Sequence, residues 1–413
     1  MTSNPCVPLR SYFRTDMAAE LFRVQSGSVE NSNTGCTAGS SDGICYETSD
    51  YSGIRCEKLS VRTETASSRL GKSIGTYYTV HTGDLRFLDR TAYQACESAC
   101  SRLLCDAVRT LVSKQASSDS IVFDTSVSAE GRSAESRHAV SPEWDQGHID
   151  IFRGQEQSEA SLPSNAEGMD LPTASDSCTD TVTDVPPAPL SEESEIPLRS
   201  VLVVGLGNPE LTPDSLGPLT VRHIHVTRHL TGENSLLPAE LRESLPSLSA
   251  FCPMVLGQTG IETQALVRGA VQAAKPELVI LIDALASSEI CHLARTVQIS
   301  TTGIHPGSGI GSKREPLTAE ILGVPVLTIG VPTVIASSTM VYRVLEGAGL
   351  LPQEGENPKL HSMLRETLAD SGSSYVAPKD IDQSVQEFSR LLAETINTAV
   401  LGNEIAKEWF SRV

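Results

Sequence analysis

Two acidic residues, each delivered by an apolar strand-like run, are the side chains in this 413-residue chain best placed to do chemistry. Paired carboxyl groups perform acid/base work, one taking a proton while the other gives one. Asp214 lies in SVLVVGLGNPELTPDSLGP (Ser200–Pro218), where Val201–Val204 reads as a central parallel strand buried on both faces. Gly205, Gly207, Pro209, Pro213, Gly217 and Pro218 then punctuate a turn. Ligands of open α/β sheets bind at the carboxyl ends of strands, which places Asp214 on that edge. The competing reading makes Asp214 a cap for the following helix. Asp283 arrives in the same way, directly after LVILI (Leu278–Ile282), and its competing role is a strand-end carboxylate facing a helix N-terminus.

The elements around these residues predict how they are held. Thr259 and Glu262 have capping-box spacing, Ile261, Ala265, Leu266, Gly269, Ala270 and Ala273 mark an apolar face, and Lys275-Pro276 stops the helix, giving a βαβ unit. A Gly-rich loop, STTGIHPGSGIGSKREPL (Ser300–Leu317), frees the backbone for close approach and carries His305, Lys313 and Arg314. It lacks the GxxxxGK[ST] spacing of a phosphate-binding loop. VPVLTIG (Val324–Gly330) adds another buried strand at the same edge. The expected fold is α/β, a mostly parallel central sheet flanked by helices. GIRCEKLSVRTE and GTYYTVHTG alternate like half-exposed antiparallel strands, so a smaller N-terminal α+β region is expected before it. Near the C-terminus, Val385, Phe388, Leu391, Leu392 and Ile396 fall at helical spacing as a core or subunit contact.

Composition bounds the rest. The 39% hydrophobic content is low for this length, and much of the shortfall lies over 112–195, rich in Ser, Asp, Glu and Pro. Such a segment cannot bury enough apolar surface to offset its chain entropy and reads as a disordered insertion. A shorter polar insertion is expected at about 24–52, densest over 24–43. The net charge of −19 argues against a nucleic-acid surface. Cys96, Cys100 and Cys105, among ten scattered cysteines, lack zinc-ribbon CxxC pairs and read as buried free thiols. No metal and no cofactor are expected. No apolar run reaches the ~18 residues of a membrane span, and no signal-peptide core opens the chain, so a reduced intracellular location is expected.

At these residues the chain resembles the germination protease family of spore-forming Firmicutes. The blocks that carry the likeness are FRTDMAAE, LGKSIGTYYTV, VLVVGLGNPELTPDSLGP, VTRHL, GQTGIETQALV, LVILIDALA, QISTTGIHPGSGIGSKR, LGVPVLTIGVPTVI and VAPKDID, in order along both ends of the chain. The chain departs from the family at Thr301, usually acidic or Asn, and near Ser287 or Ser288, where a basic residue is usual. The resemblance implies a homotetrameric endopeptidase of the spore core that degrades small acid-soluble spore proteins, with no nucleic-acid or membrane partner.

It further implies an atypical aspartic mechanism with Asp214 and Asp283 as the catalytic pair. Two nearby carboxylates cannot both ionise cheaply, so one keeps a proton and the other activates water. His305, Gly307 and Gly309 of the Gly-rich loop are candidates to contact substrate or stabilise the oxyanion. The family is made as a zymogen, and TDMAAE (Thr15–Glu20) has the form of its cleavage motif, so self-cleavage is expected between Asp16 and Met17. The competing reading of that segment is a helix start capped by Thr15 or Asp16. The resulting division is a propeptide over 1–16, an N-terminal region over 17–111, an insertion over 112–195 and a catalytic core over 196–413. Two rivals stand beside this one. The turn GLGN also resembles hydrogenase-maturation endopeptidases, in which Asp214, Asp283 and His305 would hold a metal. GLGNP and TRH resemble peptidyl-tRNA hydrolase, an RNA-binding reading that the acidic charge opposes.

Overall fold

The computed structural model describes residues 15–26, 43–119, 198–232, 235–305, 315–351, 357–371, 374–402 and 405. In chain order its elements open with α1 (Ala18–Ser26), β1 (Ile44–Tyr51), β2 (Ile54–Val61), α2 (Glu64–Leu70), β3 (Gly75–His81) and α3 (Arg90–Asp119). There follow β4 (Ser200–Gly205), α4 (Leu216–Arg222), α5 (Arg228–Thr231), α6 (Ala239–Ser244), β5 (Ser247–Phe251), α7 (Leu256–Thr259) and α8 (Thr263–Ala274). The chain continues through β6 (Leu278–Ser287), β7 (Thr296–Ser300), α9 (Ala319–Leu322), β8 (Val326–Ala336), α10 (Ser337–Gly347), α11 (Pro358–Ser371), β9 (Tyr375–Val376) and α12 (Ile381–Leu401).

The strands form one mixed sheet in the order β1-β2-β3-β7-β8-β6-β4-β5, with β9 on β8. Only β5, β4, β6 and β8 run parallel, and every other pairing is antiparallel. The expectation of a mostly parallel sheet therefore holds for the β5-β4-β6-β8 half alone. The cause lies in the connections. β6 reaches β7 through one 3₁₀ turn (Ile290–His292), too short for the crossover that a parallel return needs. β1 and β2 are joined by Ser52-Gly53, both at positive φ, a tight hairpin turn. The N-terminal strands also extend the main sheet, because β3 pairs with β7.

The central parallel strands β4 and β6 are apolar on both faces because helices cover both. Val201, Val203, Ile280 and Ile282 face the core made with α3 and α12, whereas Leu202, Val204, Val279 and Leu281 pack with Val267 and Val271 of α8. Val385, Phe388, Leu391, Leu392 and Ile396 are all buried, so the α12 stripe is core. Each such side chain contributes about 1.5–3 kcal/mol of transfer free energy. Cys96, Cys100 and Cys105 are buried on α3 and form no disulfide, as their spacing predicts.

Several boundaries differ from expectation. α3 runs to Asp119, so 112–119 is helix, and β1 occupies most of 44–52, a polar stretch that is strand because it pairs with β2. The rest of both insertions, 27–42 and 120–195, lies outside the described residues. The capping box does not form. Gly260, at φ 67°, ends α7, and α8 starts only at Thr263 with Glu262 as its N-cap, so the Thr259 hydroxyl accepts from the Ile261 N–H instead. β6 and β8 also outlast their apolar runs, continuing to Ser287 and Ala336 by pairing with each other and, at Ala336, with Tyr375 of β9.

Candidate active site

β4 stops at Gly205, opposite Ile282 of β6, and the chain turns away over the sheet edge. Asp283 is thus the first β6 residue without a β4 neighbour. It lies within a strand rather than at its end, but still at the carboxyl edge of β4. The loop leaving β4 returns through a 3₁₀ turn (Thr212–Asp214), where Pro213 presets the turn. Asp214 does not cap α4, whose N-cap Ser215 makes no side-chain cap bond. Its carboxylate instead accepts the Asn208 N–H at 2.8 Å and closes the loop on itself. Gly207 makes that closure possible: it sits at φ 113°, and a Cβ there would lie 2.0 Å from the Asp214 carbonyl oxygen. Gly207→Ala should therefore cost about 1–3 kcal/mol and displace Asp214. A chemical-denaturation midpoint and a cleavage rate both unchanged from wild type would contradict this.

Register builds the other wall. Gln298 of β7 pairs with Gly330 of β8, and Gly330 pairs with Asp283, so the three lie in one row across the sheet. Side chains paired across strands share a face, which sets Gln298 and Asp283 two strands, about 10 Å, apart on one side. Gly330 between them leaves room that Leu285 occupies; a Cβ would meet Leu285 at 2.6 Å. Asp214, Asp283, Gln298 and His305 all line a cavity of about 500 Å³. Asp283 is buried, 7% exposed, and its Oδ1 accepts the Ala284 N–H at 3.0 Å. Tyr77 lines the same cavity, and burial pushes its phenol up to about 12.

The N-terminal segment enters this cavity. Asp16 lines it, donating its N–H to the Ala286 carbonyl at 2.9 Å while its carboxylate accepts the Ala286 N–H at 2.9 Å. Met17, Ala18 and Ala19 are buried behind it. Glu20, 1% exposed, accepts from Ser287 Oγ (2.6 Å), Ser288 Oγ (2.6 Å), the Ser288 N–H (2.8 Å) and Thr15 Oγ1 (2.5 Å). His292 Nδ1 stands 2.6 Å from Glu20 Oε1. Burial alone would raise the Glu20 pKa, but the His292 contact and the two serines outweigh it and hold the carboxyl below its usual value. Ionised, Glu20 only accepts, so His292 Nδ1 donates. Neither Thr15 nor Asp16 acts simply as a helix cap: Thr15 Oγ1 accepts from Met17, ahead of α1, and Asp16 bonds across to β6.

Of the residues singled out from sequence, Asp16, Asp214, Asp283 and His305 meet at one cavity, with Met17 buried beside Asp16. Gly307 and Gly309 lie outside the described residues. Although His305 shares the cavity with both aspartates, no three His, Cys, Asp or Glu side chains among the described residues converge closely enough to hold a metal ion. Sequence reasoning missed Lys72, Gln298, Ser287, Ser288 and His292 as site residues. Lys72 had one signal, its place in LGKSIGTYYTV, where a lone cation precedes an apolar strand. No helix among the described residues is long and apolar enough to cross a membrane.

A family model described as germination protease matches residues 190–347. The germination protease of Caldanaerobacter subterraneus subsp. tengcongensis is 43% identical over 223 residues, spanning 50% of this chain and 68% of that protein. That of Bacillus subtilis (strain 168) is 38% identical over 246 residues, spanning 49% and 66%. That of Clostridium perfringens (strain SM101 / Type A) is 38% identical over 247 residues, spanning 55% and 74%. The chain thus spans about two thirds to three quarters of these relatives' lengths. A crystal structure of a [NiFe] hydrogenase maturation protease, HycI from Thermococcus kodakarensis KOD1, overlays with 16% identity over 48% of this chain and 94% of that one. Its TM-score of 0.25 is too low to bear on the fold.

Proposed function

The chain belongs to the germination protease family, and on that premise we propose that it is a self-processing endopeptidase that starts the degradation of small acid-soluble spore proteins during germination. Asp214 and Asp283 form its acid/base pair, and residues 1–16 are a propeptide. Family likeness is what supports the spore-protein substrates, the homotetramer and the spore core as its place of action. The observation that carries the reading is the position of Asp16, which lines one cavity with both aspartates while Met17–Glu20 is held behind it.

In this mechanism the ionised carboxyl of the pair takes a proton from water, which adds to the Asp16 carbonyl carbon. The protonated partner then gives its proton to the Met17 nitrogen as the peptide bond breaks. The pair titrates as a unit, so its protonation belongs to both residues together. Intact mass and N-terminal sequencing of full-length protein over time test the reading. The expected product begins at Met17 and forms with or without a chelator. A chain that keeps Met1, or starts well beyond Met17, overturns the self-processing site. Loss of cleavage on chelation, restored by added metal, would support the metal-dependent mechanism instead.

A further inference from the structure

The carbonyl of Asp16 accepts from two side chains. Lys72 Nζ donates to it at 2.8 Å and Gln298 Nε2 at 3.4 Å. Gln298 also accepts the Ala18 N–H on its Oε1 at 2.9 Å, so one side chain grips the backbone on both sides of the Asp16–Met17 bond. Lys72 and Gln298 line the cavity that holds Asp214 and Asp283. Resting on the peptidase reading above, we propose that Lys72 is a catalytic residue, the cationic group that stabilises the oxyanion formed on the scissile carbonyl, with Gln298 positioning that carbonyl.

The physical case is the mismatch between where the charge sits and what it touches. Lys72 is half-buried at the cavity wall, and burial pulls its pKa below the ordinary lysine value, against the pull of Asp16 and Glu20. Enclosing an ammonium costs free energy unless charge or good hydrogen bonds compensate. In the resting state its bonded acceptor is a neutral carbonyl. When water adds to the Asp16 carbon and its proton passes to the ionised carboxyl, the carbonyl electrons move onto that oxygen. The ion–dipole contact becomes an ion pair at the atom where charge develops. An interaction that strengthens only on going to the transition state is one that accelerates chemistry. When the C–N bond breaks, the protonated carboxyl gives its proton to Met17 nitrogen, and the electrons on the oxygen return to the carbonyl. Water and amide become carboxylic acid and amine, with Lys72 unchanged. The contact also singles out one peptide bond, because the Asp16 carbonyl belongs to the bond between Asp16 and Met17.

Full-length chains carrying Lys72→Met, Lys72→Arg, Asp214→Asn or Asp283→Asn, compared with wild type, test this by the first-order rate of self-processing. The segment is already docked in the same chain, so that rate reports chemistry rather than encounter. Lys72→Met should slow it by about 10²-fold or more, with an unchanged thermal midpoint and Asp16–Met17 still the only bond cut. Lys72→Arg should recover part of the rate, which a purely structural defect would not. Lys72→Met processing within about threefold of wild type, while the aspartate variants are dead, overturns the role of Lys72 and leaves the carboxylate pair standing. A lowered thermal midpoint in Lys72→Met with no rescue by Lys72→Arg also overturns it, by making the lysine structural. Aspartate variants that process normally, or a wild-type chain that never processes, remove the premise and the inference with it.

Discussion

Asp214→Asn and Asp283→Asn will each lower peptide cleavage by about 10²- to 10⁴-fold or more, in self-processing and in cleavage of added protein alike. The fold should survive both changes. An amide oxygen can still accept the Asn208 N–H that Asp214 takes at 2.8 Å, and the Ala284 N–H that Asp283 takes at 3.0 Å. What disappears is the group that ionises. The double variant should be scarcely worse than either single one, because two residues acting as a unit lose nearly everything when one is gone. A single variant with near-normal cleavage, or effects that multiply, would remove that residue from the mechanism.

Glu20→Ala will undock the N-terminal segment. The change leaves Ser287, Ser288 and His292 inside without the acceptor they share. Removing one partner from a buried charged network costs about 3–5 kcal/mol. That is enough to raise the open population of the segment by two orders of magnitude or more. Hydrogen exchange over 15–26 should therefore accelerate while that over α12 stays unchanged, and self-processing should slow in proportion to the docked fraction. Glu20→Gln should fall between, since an amide oxygen still accepts from the serines. The pH dependence follows from the lowered Glu20 pKa. Docking energy from this carboxylate is present in full above the ordinary carboxylate pKa and is lost as pH falls through the lower value of the folded state. Unchanged exchange at 15–26 in Glu20→Ala would show that apolar burial of Met17 and Ala18 alone holds the segment.

What the sequence reveals and what it hides divide along physical lines. Val201–Val204 and Leu278–Ile282 announce themselves because strands covered on both faces need unbroken apolar runs; the second runs straight into Asp283, and the first reaches Asp214 through a Gly- and Pro-bearing loop. Their parallel pairing follows from the helical pattern between them. The antiparallel half is less legible, since nothing local in Gly75–His81 or Thr296–Ser300 says that these strands pair with each other across more than 200 residues. β6 continuing past Asp283 is hidden for the same reason: Ala286 and Ser287 are strand only because Val334 and Ile335 of β8 lie beside them. The site shows the same split. Asp214 and Asp283 have strong local signals, whereas Gln298 looks like any polar residue in TVQIS until register sets it across Gly330 from Asp283. His292 has no signal at all. It becomes part of the site only when the chain's own N-terminal Glu20 reaches it.

The most direct measurement is time-resolved mass spectrometry of a purified small acid-soluble spore protein incubated with the full-length chain, alongside its Asp283→Asn variant. The predicted result is a defined endoproteolytic cut after an acidic residue, made by the wild-type chain once Met17 has become its N-terminus and absent with the variant. A spore protein that stays intact with the processed wild-type chain, or is cut equally by Asp283→Asn, would contradict the assignment of this cavity as the active site of a spore protease.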